Sequence, residues 1–434
     1  MTAEIAVMNE EAIALAADSA VTGPAKIFTS ANKIFALSKY HPVALMVYDT
    51  AQFHGVPWET IVKQYRRELG DECFPTLDAH AEHFLKYFNT AKELFPPEAQ
   101  ERGTATLVYT LFRAILKDAF GEVEKRIGNG EEPSGEDVVK DIEESIDWHH
   151  GRWKGAKIRP DLPSGYRERV KKKCAKLVDE TLETVFEKVP LSKRAKRKLR
   201  QLLPWVATKN LSFERLPTHS GIVIAGFGET DVFPRLRRFD FECVIADRLK
   251  FVEGEPIDVG PSNRAVIVPF AQREQVETFM EGIDRKLGDY LHGWWYEKLD
   301  ELIAEIGEHL DLSGPKREAL ASAFRDRCNE IIGTEYEGAL NQFSWTNHVE
   351  PIIDIVGMLP KDELAEMAES LVNLTSFKRR VTPEAETVGG PIDVAVISRG
   401  DGFIWIKRKH YFDRDLNPHF LANYYRDEEN GESK

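Results

Sequence analysis

Thr2 is the residue from which chemistry can start. Met1 precedes a small side chain, which permits its removal, and a threonine would then head the chain. An α-amine titrates near ~7.7 and can take the proton of the hydroxyl on the same residue through one water, so a terminal threonine supplies both nucleophile and base. Two other residues have the charge to support it. Lys33 would favour the neutral amine by like-charge repulsion, and Asp18, sixteen positions after Thr2, would anchor that lysine.

These residues need a sheet to hold them, and the first fifty residues read as one. Ile5 and Val7 alternate with smaller or polar residues, Met8 to Ala12 can turn the chain, and Ala12 to Ala17 gives a second short apolar run that ends at Asp18. Val43, Leu45 and Val47 repeat the alternation, while Ala16 and Ala17 are small enough for neighbouring strands to approach closely. Helical periodicity follows. Ile61, Tyr65 and Leu69 place a helix over 58–69, and further helices are expected over 77–92, 104–127, 135–146, 166–188 and 192–205, with breaks at Pro96-Pro97, Gly128 to Gly130 and Pro160 to Gly165. Strand-like sequence returns at Ser220. A second helical block runs from Gln275 through Trp294-Trp295 to Ile332, interrupted at Gly314-Pro315. A last helix over 361–374 spaces Leu364, Met367, Leu371 and Leu374 on one face. Strands at the start, middle and end with helical blocks between them predict an α+β chain, since a doubly wound parallel sheet would alternate strand and helix regularly.

Several segments together resemble the proteasome β-subunits, which are N-terminal nucleophile hydrolases. They are Thr2 to Val7, Ala12 to Thr22, Lys33-Ile-Phe35, Tyr48 to Gln52, the stretch Gly221 to Glu229 running on to Phe239-Asp-Phe241, and Val388 to Gly402. The resemblance implies a four-layer αββα sandwich built from residues 1–75, 211–280 and 355–415. Helical insertions would occupy 76–210 and 281–354, and 416–434 would form a polar tail. It also implies roles: Thr2, Asp18 and Lys33 catalytic, Thr22 guiding an extended peptide, and the N–H of Met46, with Val47 beside it, facing the oxyanion. Departures are visible too. The family's aspartate and serine before its Gly-Gly are replaced by Glu384 to Val388, where Glu386 or Thr387 would have to substitute; Phe270 to Arg273 has no serine, and Ala20 stands where the family has arginine.

Composition limits the remaining options. At 434 residues and 42% hydrophobic the chain can bury one large core or two ordinary ones. No apolar run approaches the ~20 residues that cross a bilayer, and the acidic start is unlike a signal sequence, so the expected location is the cytoplasm and no membrane partner is expected. Cys73, Cys174, Cys243 and Cys328 are scattered, which suits reduced and mostly buried thiols. A net charge of −14 argues against wholesale nucleic-acid binding, and the basic stretches 167–176 and 193–200 are interleaved with acids. The pair His149-His150 has no third ligand at useful spacing, and no metal or organic cofactor is expected. Without a phosphate-binding loop, ATP-driven unfolding would need a separate protein. The expected partners are therefore a peptide or protein substrate, an unfoldase and further copies of the chain, by resemblance in a ring. Three readings stay open: a threonine hydrolase, a catalytically silent subunit used for assembly or binding, and a nucleic-acid-associated module using the basic helices.

Overall fold

The computed structural model of the chain describes residues 2–22, 27–213, 219–309, 314–382, 388–410, 412–413, 415–419 and 422. It is a mixed α/β structure with antiparallel sheets, divided into two compact units. The first comprises residues 1–31, 259–396 and 404–434, and the second 32–258 and 397–403.

The first unit is organised by the opening hairpin. Strand Ala3–Asn9 lies in a five-stranded sheet between Ala265–Ala271 and Ala12–Ala17, and the sheet continues to Asp393–Ser398 and Gly402–Lys407. Its register pairs Ala3 with Ala271 and Glu4 with Ala17. The hairpin turn is held by Asn9, whose side-chain oxygen accepts the N–H groups of Glu11 and Ala12 while its amide donates to the carbonyls of Val356 and Leu359. Period-two alternation then sorts the side chains. Ala3, Ile5 and Val7 join Ala12, Ala14 and Ala16 in a core against the helix Lys361–Val381, leaving Thr2 and Glu4 on the opposite face. The alanines let that helix sit close to the strands.

That helix runs past the expected end at Leu374 to Val381; of the expected face, Leu364 and Leu371 are buried and Met367 packs against the same core, and only Leu374 departs. Leu364, Ala368, Leu371, Val372, Thr375 and Arg379 point inward, whereas Leu374 is 38% exposed. Thr375, past the expected end, is accommodated locally, since its Oγ1 donates to the carbonyl of Leu371 at 3.1 Å. Trp294 and Trp295, on helix Arg285–His309, are not core residues; they stand 39% and 42% exposed.

The second unit carries its own sheet, ordered Arg248–Glu253, Arg235–Ile245, Ser220–Gly226, Val43–Tyr48 and Ile34–Ala36. Gly221 has no room for a side chain, because a Cβ there would meet the Tyr48 ring at 1.8 Å. Helices Trp58–Leu69 and Leu77–Thr90 cover this sheet through a core that includes Trp58, Tyr65, Phe84, Phe88, Ile224 and Phe241. A further apolar core joins Pro97–Gly128, Gly135–Gly155, Tyr166–Lys173, Ala175–Phe186 and Lys193–Thr208. Two sequence expectations change here. The break at Pro96-Pro97 is present, but the next helix starts at Pro97 and not at Thr104, because Pro97 occupies the first helical position where no N–H is needed, and the helix expected over 166–188 is two, parted at Cys174. Cys174 and Cys243 are buried free thiols, Cys328 is half-buried and Cys73 is exposed.

Candidate functional site

Asp18 ties the start of the first unit together. It follows directly on strand Ala12–Ala17, opposite Ala3, so the ladder continues through its main chain: Asp18 N donates to the Ala3 carbonyl at 3.1 Å. Its carboxylate then closes the pair by accepting the Ala3 N–H at 3.1 Å. The other carboxylate oxygen accepts the N–H of Ala20 at 3.3 Å and that of Gly389 at 2.9 Å. Three main-chain donors from three segments therefore converge on one buried acid. A carboxylate so held orients its neighbours rigidly, since losing it would strand three N–H groups away from water.

The Gly389-Gly390 turn reaches Asp18 only because of its backbone. Gly390 adopts φ +81°, and a Cβ there would lie 2.9 Å from Thr29 Cβ and 3.0 Å from its carbonyl oxygen. A side chain would meet both steric limits at once. Ser19 adds a further link by donating its hydroxyl to the Pro391 carbonyl.

Thr2 is 1% exposed at the head of the first strand. Its hydroxyl donates to Glu4 Oε2 at 3.1 Å, the geometry expected of residues two apart on one strand face. The Thr2 carbonyl accepts the N–H of Gln272 at 3.2 Å, and Gln272 Oε1 in turn accepts from Arg379 Nε at 2.7 Å. Glu4 is completely buried. The sequence reading passed over it, although a glutamate at i+2 from the reactive hydroxyl in an otherwise apolar strand is a readable signal.

The other sequence candidates fall in different places. Lys33 belongs to the second unit, is 4% exposed, and accepts the Val47 N–H on its main-chain carbonyl at 2.8 Å. Met46 and Val47 lie in that unit's sheet, with Met46 opposite Ile34 on one side and Val223 on the other. Thr22 pairs by its backbone with Ile27 in the first unit. Glu386 and Thr387 lie outside the described residues. The structure thus brings together Thr2 and Asp18, through Ala3, and adds Glu4, Gln272 and Gly389. Among the described residues no group of three or more potential ligands is arranged to hold a metal ion. His149 instead meets Asp118 at 3.0 Å, and His150 meets Gln201 at 3.0 Å. Among the described residues no helix is long and apolar enough to cross a membrane.

No family model and no curated protein sequence matches the chain. Solved structures do. Its neighbours include an Anbu Gly-1 mutant from Hyphomicrobium sp. strain MC1, 9% identical with a TM-score of 0.31, covering 98% of this chain and 96% of that one. Anbu, described as an ancestral beta-subunit, from Yersinia bercovieri is 10% identical with a TM-score of 0.25, covering 98% and 95%. The helical assembly of the Anbu complex from Pseudomonas aeruginosa is 10% identical with a TM-score of 0.24, covering 98% and 96%. These matches correct the resemblance drawn from the sequence. The similar structures named above are described as Anbu, one of them as an ancestral beta-subunit, and none of those descriptions names an N-terminal nucleophile hydrolase. The physical reason is that the matched segments are alternating strands, a hairpin of small residues and a Gly-Gly turn, all of which the sheet itself demands whether or not a threonine reacts.

Proposed function

We propose that the chain is a proteasome-like threonine hydrolase, cleaving peptide or other amide bonds with Thr2 once Met1 is removed. The observation that carries this reading is the Thr2 hydroxyl, hydrogen-bonded at 3.1 Å to the buried carboxylate of Glu4 on a chain end that Asp18 fixes. Thr2 Oγ1 would attack the scissile carbonyl while its proton passes to the freed α-amine through water or to Glu4. The leaving amine would depart with a proton, and a second water would then release the ester. Lys33 keeps its proposed part in tuning the amine, Thr22 in guiding an extended peptide by its backbone, Met46 or Val47 in meeting the oxyanion, and Glu386 or Thr387 in supporting the nucleophile.

The wider proposal is a discontinuous four-layer αββα sandwich of residues 1–75, 211–280 and 355–415 carrying helical segments 76–210 and 281–354. It would work in the cytoplasm without metal or organic cofactor, in an oligomer, and with a separate unfoldase delivering protein substrates. A second reading follows from burial: with Thr2 only 1% exposed, the same geometry would serve a catalytically silent subunit used as an assembly or binding scaffold. Intact-mass analysis followed by a threonine-directed electrophile separates the two. The hydrolase should lack Met1 and be labelled at Thr2, with labelling lost in Thr2→Ala and Lys33→Ala. A free Thr2 that resists labelling would leave the scaffold reading.

A further inference from the structure

Within the first unit, the helix Arg285–His309 packs chiefly against Gly314–Glu330, its neighbour in a hairpin that continues through Glu337–Ser344. The two sides run antiparallel. Asp300 meets Arg325 at 2.8 Å, the rings of Trp295 and Tyr336 lie 6.5 Å apart, and at the base Ser344 donates to the Glu281 carbonyl at 2.7 Å. This hairpin has almost no interior. Among the described residues of 285–344, Ile303 and Ile332 alone are buried. Helices in proteins are held by an apolar face packed on a neighbour far more than by intrinsic propensity, and one buried side chain on each side of the hairpin is too little.

The apolar surface missing from the interior stands outside. Leu287, Tyr290, Trp294, Trp295, Leu302 and Ile306 are between 39% and 65% exposed. At 3.6 residues per turn they fall within roughly 160° of arc on the helix Arg285–His309. Their exposed parts sum to about 600 Å² of apolar surface, the upper end for the largest patch on an ordinary monomer. At the ~65% apolar share of a homodimer interface, that corresponds to about 900 Å² per partner, above the ~800 Å² of a standard interface. The charges of the same helix are arranged for a copy of itself. Arg285 and Lys286 against Asp289 leave its first two turns at +1, whereas Glu297, Asp300, Glu301 and Glu305 against Lys298 leave the later turns at −3. This order runs against the helix dipole, which favours acids at the start and bases at the end. An antiparallel helix of identical sequence, related by a two-fold axis, sets each basic start beside the other's acidic end. The cover is also needed whenever the chain folds, and a second copy is the partner made alongside it every time.

We propose that this hairpin is a self-association surface: two copies pair through Arg285–His309, antiparallel across a two-fold axis, and form a four-helix bundle whose core neither copy has alone. The pairing goes beyond the hydrolase reading and does not depend on it, since Thr2 can be labelled or resist labelling in either state. Sedimentation velocity of the full chain at micromolar concentration and low ionic strength tests it. Wild type should sediment as a dimer or a larger even-numbered assembly. Tyr290→Glu combined with Trp294→Glu should halve that mass, whereas Val232→Glu, at an exposed apolar site in the second unit, should leave it unchanged. Arg285→Glu with Lys286→Glu, and separately Glu301→Lys with Glu305→Lys, should each halve it as well. Mixing these two charge-reversed proteins should restore the wild-type mass, because every facing pair is then opposite in sign. Restoration by mixing also shows that the charge-reversed chains are folded, since an unfolded chain would not regain its partner. A monomeric wild type, a mass unchanged by either set of substitutions, or a mixture that stays dissociated would overturn the proposal, and the first of these would leave the apolar face to a different protein or to the substrate.

Discussion

His80 should make the second unit acid-sensitive, and its substitution by leucine should remove that sensitivity. The ring is 1% exposed on helix Leu77–Thr90, packed edge-on against Phe74 at 4.9 Å, and neither ring nitrogen has a hydrogen-bond partner among the described residues. Burial disfavours the charged imidazole most, the nearby His41 and His83 add like-charge repulsion, and Asp231 opposes them weakly, so the pKa falls from 6.5 to about 4. The unfolded chain therefore binds a proton at a pH where the folded chain does not. Stability from this group is fully present above about pH 6.5 and is lost progressively as pH falls towards about 4. At ~1.4 kcal/mol per pH unit the total is about 3 kcal/mol, of which about 2 kcal/mol is gone by pH 5. His80→Leu fills a similar volume with no titrating atom, so at pH 7.5 it should be neutral or slightly stabilising. Urea denaturation and hydrogen exchange within 77–90, each at pH 7.5 and 5.0, give the comparison. Wild type should lose about 2 kcal/mol more than His80→Leu between the two pH values. Equal losses would refute the argument, because they would mean that the folded ring accepts its proton as readily as the unfolded one.

His219 should behave in the opposite sense. It lies 2.8 Å from Asp49 and 3.4 Å from Asp240, and these carboxylates outweigh its partial burial and raise its pKa to about 9. Its contribution is complete below about pH 6.5 and is lost as pH rises through 9, so His219→Gln should flatten the alkaline side of a stability-versus-pH curve by about 1–2 kcal/mol, after allowance for solvent screening. Asp18→Asn replaces one acceptor oxygen by an NH2 group facing main-chain donors, and should lower stability by about 2–3 kcal/mol in thermal or urea melts. Gly390→Ala should cost more than about 1 kcal/mol by the same measurements, since both φ and the Thr29 contact oppose a Cβ. Glu4→Gln keeps an acceptor for the Thr2 hydroxyl but not the charge, so electrophile labelling at Thr2 should slow ~10-fold or more if Glu4 takes the proton, while the melting temperature moves little.

The opening hairpin was legible because alternation is a local signal. Ile5 and Val7 face the helix as their spacing requires, and the turn expected over Met8 to Ala12 falls there because Asn9 can satisfy both its flanking N–H groups and two distant carbonyls. Helix 58–69 was equally legible from Ile61, Tyr65 and Leu69, all of them fully or almost fully buried. What could not be read is non-local. Nothing in the composition marks residues 31–32 or 258–259 as boundaries between units, because the apolar fraction is similar on either side and the division depends on which strands pair. Glu4 was readable as a glutamate two residues from Thr2 in an apolar strand, but its complete burial is set by the fold. The three donors to Asp18 come from segments as far apart in sequence as Ala3 and Gly389, a distance no periodicity spans. The extension of the last helix to Val381 was hidden for a different reason: the apolar spacing ends at Leu374, yet a threonine that bonds back to the preceding turn can be buried within a helix.

The pairing of Ala3 with Ala271 has a consequence for how the molecule is made. A ribosome adding ~5–20 residues per second needs from about a quarter of a minute to nearly a minute to travel between those two positions. Over that interval the leading strand lacks one of its flanking partners, while much of the second unit has already been synthesised. An aminopeptidase acting on the nascent chain would thus reach the bond between Met1 and Thr2 before the late strand arrives, whereas Thr2 is 1% exposed once the sheet has closed.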